Sequence, residues 1–199
     1  MHQVLMALQK HPLPFLDFGR RETMIGNLLL MHGMILATEH LLEEAIKLSS
    51  GRLRSYYVEH LEEERNHSAW ILDDLKSAKV TPPSVDWEAA QIAGIQYYLI
   101  YHVSPQALLG YIAALECRPA SMDFIERLEG RYGAALLRTA RYHAEHDVDH
   151  GAAVLNFIDS LPDANLELIS ENAARTALAL QAALNEKVKR LEDARSKYS

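Results

Sequence analysis

This sequence is short of several features that would assign a function class directly. It has one cysteine, Cys117, in 199 residues, which excludes an intramolecular disulfide framework and suits a reducing compartment. It has no unbroken apolar run of the length a spanning helix needs, and residues 1–10 lack the basic start and cleavage site of a secretory signal. A cytoplasmic location without a membrane partner is the expectation. Basic tracts are missing too: 20 Lys and Arg face 27 Asp and Glu, for a net charge of −7, with a pI near 5.8. Nucleic acid is therefore not an expected partner. No stretch alternates as a strand would, and there is no internal repeat, low-complexity tract or dividing linker.

What the sequence does have is helical periodicity and histidine. With 49% hydrophobic and 24% charged residues, the composition is that of a soluble globular chain, expected to be one domain over residues 1–199 and long enough to bury a core without staples. A short amphipathic segment, 1–9, stops before Pro12 and Pro14. A helix over 21–49 carries Leu28, Met31, Ile35, Thr38 and Leu42 at three- and four-residue steps, and Gly51 marks its end. The next helix runs over 52–78 and stops before Pro82-Pro83. Asp86 is placed to cap a helix over 87–102, and Ser104-Pro105 reads as an N-cap followed by proline in the first turn. That helix carries Glu116 and is disturbed at Pro119; a shorter one reaches Gly130. Helices over 134–160 and 164–197 complete an all-α bundle of about seven helices.

The ten histidines cluster. On a helix over 134–160, His143, Asp147 and His150 fall at i, i+4 and i+7 and share one face. His146 with His150 is the competing pair. Glu64 and His67, spaced i, i+3, share a face of the 52–78 helix, with His60 and Glu63 competing for the same role. Trp70-Ile71-Leu72 then continues that helix in apolar residues. Glu116 ends the apolar run Gly110-Tyr111-Ile112-Ala113-Ala114-Leu115, where a carboxylate is costly unless neutralised, paired or metal-bound. Imidazoles and carboxylates from three helices suit metals that accept both nitrogen and oxygen donors, non-haem iron first. Cys117 reads as a small core residue. Tyr97, Tyr98, Tyr101, Tyr111 and Tyr142 are candidates to line a pocket, and Arg118, Arg138 and Arg141 to meet a substrate carboxylate.

Taken together, Gly110-x-x-x-x-Leu115-Glu116, Glu64-x-x-His67 with Trp70 and Asp74-Leu75, and His143-x-x-x-Asp147-x-x-His150 resemble the haem-oxygenase-like non-haem diiron oxidases and oxygenases. This group is also described as iron-containing redox enzymes and includes the chlamydial protein associated with death domains. The resemblance covers roughly residues 50–160, and its specific part is the His-x-x-x-Asp-x-x-His motif. It implies a haem-oxygenase-like helical bundle with two ferrous ions per chain held by Glu64, His67, Glu116, His143, Asp147 and His150, and dioxygen as cosubstrate. The small-molecule substrate would be an amino acid, fatty acid or amine, undergoing desaturation, carbon–carbon cleavage, decarboxylation or N-oxygenation. A homodimer is left open. One position departs from the pattern: some members carry the first glutamate a turn further upstream, where this chain has His60. The alternatives are a metal-free relative of the thiaminase or quinone-cofactor type, and a non-catalytic helical iron-binding or interaction protein.

Overall fold

The structure is a computed structural model that describes residues 2–10 and 17–197, the side chains of His2, Asp147 and Val148 excepted. Among the described residues every regular element is helical and none is a strand. In chain order these are α1 (His2–Gln9), α2 (Arg21–Leu48), α3 (Gly51–Glu64), α4 (His67–Ser77), α5 (Trp87–His102), α6 (Leu108–Glu116), α7 (Met122–Tyr132), α8 (Arg138–Ser160) and α9 (Leu166–Ser196). Short 3-10 turns cover Pro105–Ala107 and Ala134–Leu136.

The chain is thus all-α, with nine α-helices rather than about seven among the described residues. The helix expected over 52–78 is two helices, because Asn66 sits in the left-handed region at φ 70°. Asparagine tolerates that conformation better than most residues. The helix expected over 134–160 starts at Arg138, after a 3-10 turn. Two caps are where the sequence places them: the Asp86 carboxylate accepts from Ala89 N at 3.0 Å, and Ser104 Oγ accepts from Gln106 N at 3.2 Å with Pro105 following.

α6 is the central element. Leu108 to Ala114 and Glu116 are all buried, as expected of a helix that is apolar all round. It approaches α9 so closely that a Cβ on Gly110 would lie 2.2 Å from Ile169 O and 2.9 Å from Ala173 N. Backbone meets backbone there, and only glycine fits. α5 is tied to α9 by charge and by amides. Lys187 Nζ donates to Asp86 Oδ2 at 2.7 Å and to Glu88 Oε2 at 3.1 Å, while Arg190 pairs with Glu88 Oε1 at 2.7 Å. The buried amides of Gln96 and Asn172 bond each other, and Asn172 Nδ2 also donates to Ala107 O at 2.7 Å. α2 contains a window that by length and composition could cross a membrane, with mean hydropathy 1.2; 56% of it is buried inside the bundle, where α2 packs against α3, α4, α5 and α9.

Two stability measurements follow from this packing. Gly110→Ala should cost about 3 kcal/mol or prevent folding, since the added methyl meets backbone that cannot yield. Gly94→Ala, with nothing near its Cβ, should instead gain about 0.5 kcal/mol from helix propensity; denaturant titration of the two variants checks the contrast. Glu88 supplies the second. Burial pushes its carboxyl up, but Lys187, its own backbone N–H and Arg190 outweigh burial and hold it below the usual value. Its folded pKa is depressed, so its contribution is present above the unfolded pKa of about 4.3 and lost as pH falls through the lower folded value. Unfolding midpoints measured between neutral and acid pH should fall accordingly. Lys187→Met should lower stability at neutral pH and remove part of that acid-side loss.

Candidate metal centre

Two helices end at the same place, each on a glutamate. Glu64 is the last residue of α3 and Glu116 the last of α6. Both are buried, at 6% and 7% exposure. The C-terminal end of a helix carries partial negative charge, so two carboxylates at two such ends make a strongly electronegative spot that favours a cation. His60, one turn before Glu64 on α3, completes the group with its Nε2 3.2 Å from Glu116 Oε1. One donor atom from each of His60, Glu64 and Glu116 lies within 4.8 Å of the others.

The break at Asn66 keeps His67 beside this group although it belongs to a different helix. His67 is the first residue of α4 and 2% exposed. Its Nδ1 stands 3.5 Å from Glu64 Oε2 and makes no hydrogen bond. Trp70, Tyr142 and His143 enclose its ring at centroid distances of 4.4, 5.2 and 5.2 Å. The electrostatics follow from this crowding. Burial pushes the Glu64 carboxyl up, but His67, His60 and His143 together outweigh it and hold the group low. Burial pushes His60 toward the neutral ring, yet Glu63, Glu116 and Glu64 hold its pKa above the ordinary value. Buried donors of this kind, lacking full hydrogen-bonding and rich in negative charge, match what a divalent metal with mixed oxygen and nitrogen ligands requires.

α8 brings the third part of the group. Its N-terminus is capped from another helix: Asp74 on α4, fully buried, accepts from Thr139 N at 2.8 Å and pairs with Arg138 at 3.3 Å. One turn later His143 lines the same cavity as His60, Glu64 and Glu116. Further along, a Cβ on Gly151 would lie 2.8 Å from Glu116 O and 3.2 Å from Cys117 Cα, so α8 presses directly on the end of α6. His150, next to that contact, is half-buried and lines a polar pocket with His60 and Glu63. The chain matches no family model, no curated protein and no solved structure.

The sequence candidates thus separate. Glu64, Glu116 and His60 form one group, His67 adjoins it through Glu64, and His143 lies against His67 and the cavity. His60, a competing candidate in the sequence, belongs to the tightest group. Glu63 is largely exposed, with Oε2 3.6 Å from His60 Nδ1 on the side away from Glu116. His146 is exposed, stacks on Tyr142 at 4.1 Å and engages Tyr142 O; its pairing with His150 does not form part of the group. The Asp147 side chain lies outside the described residues.

A cavity of about 480 Å³ opens from His60, Glu64, Glu116 and His143. Its lining is mostly apolar, with Leu28, Met31, Ile35, Ile112 and Phe124 among the contributors and Arg118 at its wall. None of the five tyrosines singled out in the sequence lines it. Tyr111 is fully buried against Thr38, whereas Tyr98 and Tyr101 are exposed, the latter bonded to Glu44. Of the three arginines, Arg118 lines the cavity, whereas Arg138 pairs with Asp74 and Arg141 with Glu129 and Glu145 away from it.

Asp74 is the residue on which the position of His143 rests. Asp74→Ala removes a buried carboxylate cap and leaves the α8 N-terminus unsatisfied, at a cost of about 2 kcal/mol. Denaturant unfolding reads the loss, and hydrogen exchange should show the first turns of α8 opening more readily than α9.

Proposed function

We propose that this chain is a dioxygen-dependent non-haem diiron oxidase or oxygenase in a haem-oxygenase-like bundle, acting on a small substrate with an apolar body. The observation that carries this reading is the convergence of His60, Glu64 and Glu116, donor atoms within 4.8 Å, at the inner end of an apolar cavity. One ion would be held by these three residues. A second would draw on Glu64, His67 and His143, and the family resemblance adds Asp147 and His150. Bound ferrous iron would supply electrons to dioxygen, which no side chain of the chain can do.

The protein's own residues have the remaining tasks. The apolar wall around the donors excludes water from a reactive centre. The buried glutamates offset the charge of the metals and stabilise their oxidised states. Arg118 is among the residues that line the mostly apolar cavity, and guanidinium favours carboxylate through paired donors. Among amino acids, fatty acids and amines, an aliphatic carboxylate therefore fits best, with desaturation or carbon–carbon cleavage as the outcome. A reducing cytoplasm suits both ferrous iron and the single thiol, and no nucleic-acid or membrane partner is part of this reading.

Iron counting tests it. After anaerobic incubation with ferrous iron and removal of excess metal, the wild type should retain about two irons per chain and consume dioxygen on exposure to air, with a change in the visible spectrum. Glu116→Ala and His143→Ala should each lose iron and that spectral change. A wild-type chain that retains no iron would favour the metal-free relative or the non-catalytic helical protein, and variants that retain iron as the wild type does would remove these residues from the ligand set.

A further inference from the structure

His60 has a carboxylate on each side. Its Nε2 faces inward, 3.2 Å from Glu116 Oε1, and its Nδ1 faces outward, 3.6 Å from Glu63 Oε2. The ring itself is 4% exposed, and its plane is set by Tyr56, which stacks on it at 5.8 Å and 9°. Tyr56 is backed in turn by Phe157 at 4.2 Å and 10°, under the guanidinium of Arg52. The stack fixes the tilt of the ring, and the polar groups at its two edges distinguish the two orientations related by a flip about χ2. Outside the stack lies a pocket of about 270 Å³ whose lining includes Glu59, Glu63 and His150. It is separate from the apolar cavity, and His60 borders both.

A histidine that ligates a metal through one nitrogen needs its proton on the other, and the partner of that N–H decides which nitrogen is free. We propose that Glu63 is the positioning residue for His60: it accepts the Nδ1 proton from the polar pocket and so presents the Nε2 lone pair to the Glu64–Glu116 group. Glu63 is not among the residues of the inner group and does not line the apolar cavity; the imidazole it approaches is His60. The two are three residues apart on α3, so the helix delivers both as a unit. Glu59 lines the same pocket and serves as the control acid. This assignment rests on the metal-centre reading above.

Anaerobic titration with cobalt(II), followed by calorimetry and by visible absorption, tests both. Glu63→Ala should weaken cobalt binding about 10- to 100-fold and change the ligand-field spectrum. Glu63→Gln, which keeps an acceptor of the same size, should recover part of the affinity, and Glu59→Ala should match the wild type. In a His60→Ala background, Glu63→Ala should have no further effect, because its influence runs through the ring. If the loss persists in that background, Glu63 acts as a remote charge and the positioning role is overturned. Equal affinity and spectrum in the wild type and Glu63→Ala overturn the assignment while leaving the metal centre intact. A wild type that binds no cobalt overturns both together. Glu63 is exposed, and matching thermal melts of the wild type and Glu63→Gln keep the comparison one of binding rather than folding.

Discussion

Two buried carboxylates at the ends of two helices are the constraint around which this molecule is organised. Glu64 and Glu116 each sit where the helix dipole is already negative, and each has lost most of its contact with water. Uncompensated, such a pair would be prohibitive, because like charges in a poorly hydrated site raise each other's cost steeply. The surrounding imidazoles supply part of the compensation: His60 and His67 contact the two carboxylates, and His143 acts at longer range on Glu64. Imidazoles compensate as cations only when protonated, and a metal ion does so without that condition while replacing protons on the same atoms. The field the fold creates is therefore better matched to metal than to hydrogen bonding alone.

That convergence is possible only because α6 is held without side chains in the way. Gly110 lets α9 touch its backbone near the start, and Gly151 lets α8 touch it at the end. Substituting either glycine would push α6 outward and carry Glu116 away from Glu64. Asp74 complements them by fastening the beginning of α8 to α4, so that His143 and His67 approach from two helices locked to each other. The ligand candidates are thus located by backbone contacts and one buried cap, while the apolar residues nearby shape the cavity.

Much of the architecture was legible in the sequence because it rests on local rules. The boundaries near Leu48, His102 and Ser160 follow periodicity and breakers, and the caps at Asp86 and Ser104 follow from side chains that satisfy free N–H groups. The break at Arg65-Asn66 was not legible: no proline or glycine marks it and apolar residues resume at Trp70 and Ile71, while Arg65 is extended at ψ 130° and Asn66 left-handed. That break moves Glu64 and His67 from one helix face to two helix ends. The place of Glu116 could be inferred from the cost of its burial, whereas the roles of His60 and Asp74 could not, since each depends on a partner far away in the chain. The tyrosines misled for the opposite reason. Their spacing on α5 describes a helix face, and the tertiary packing leaves Tyr98 and Tyr101 on the outside.

The place of His60 becomes intelligible once the end of α3 is considered. Some members of the family that the sequence resembles carry a glutamate there, one turn before the helix end. In this chain Glu64, four residues after His60 and on the same face of α3, brings the carboxylate. His60 adds a nitrogen donor to the two carboxylates, and its ring presents a second nitrogen to Glu63 on the other side. Through that nitrogen the buried group is linked to the polar pocket lined by Glu59, Glu63 and His150, on the side opposite the apolar cavity. A stacked imidazole between Tyr56 and the inner carboxylates closes the group off from that pocket, and exclusion of bulk solvent is what a centre that handled dioxygen would require.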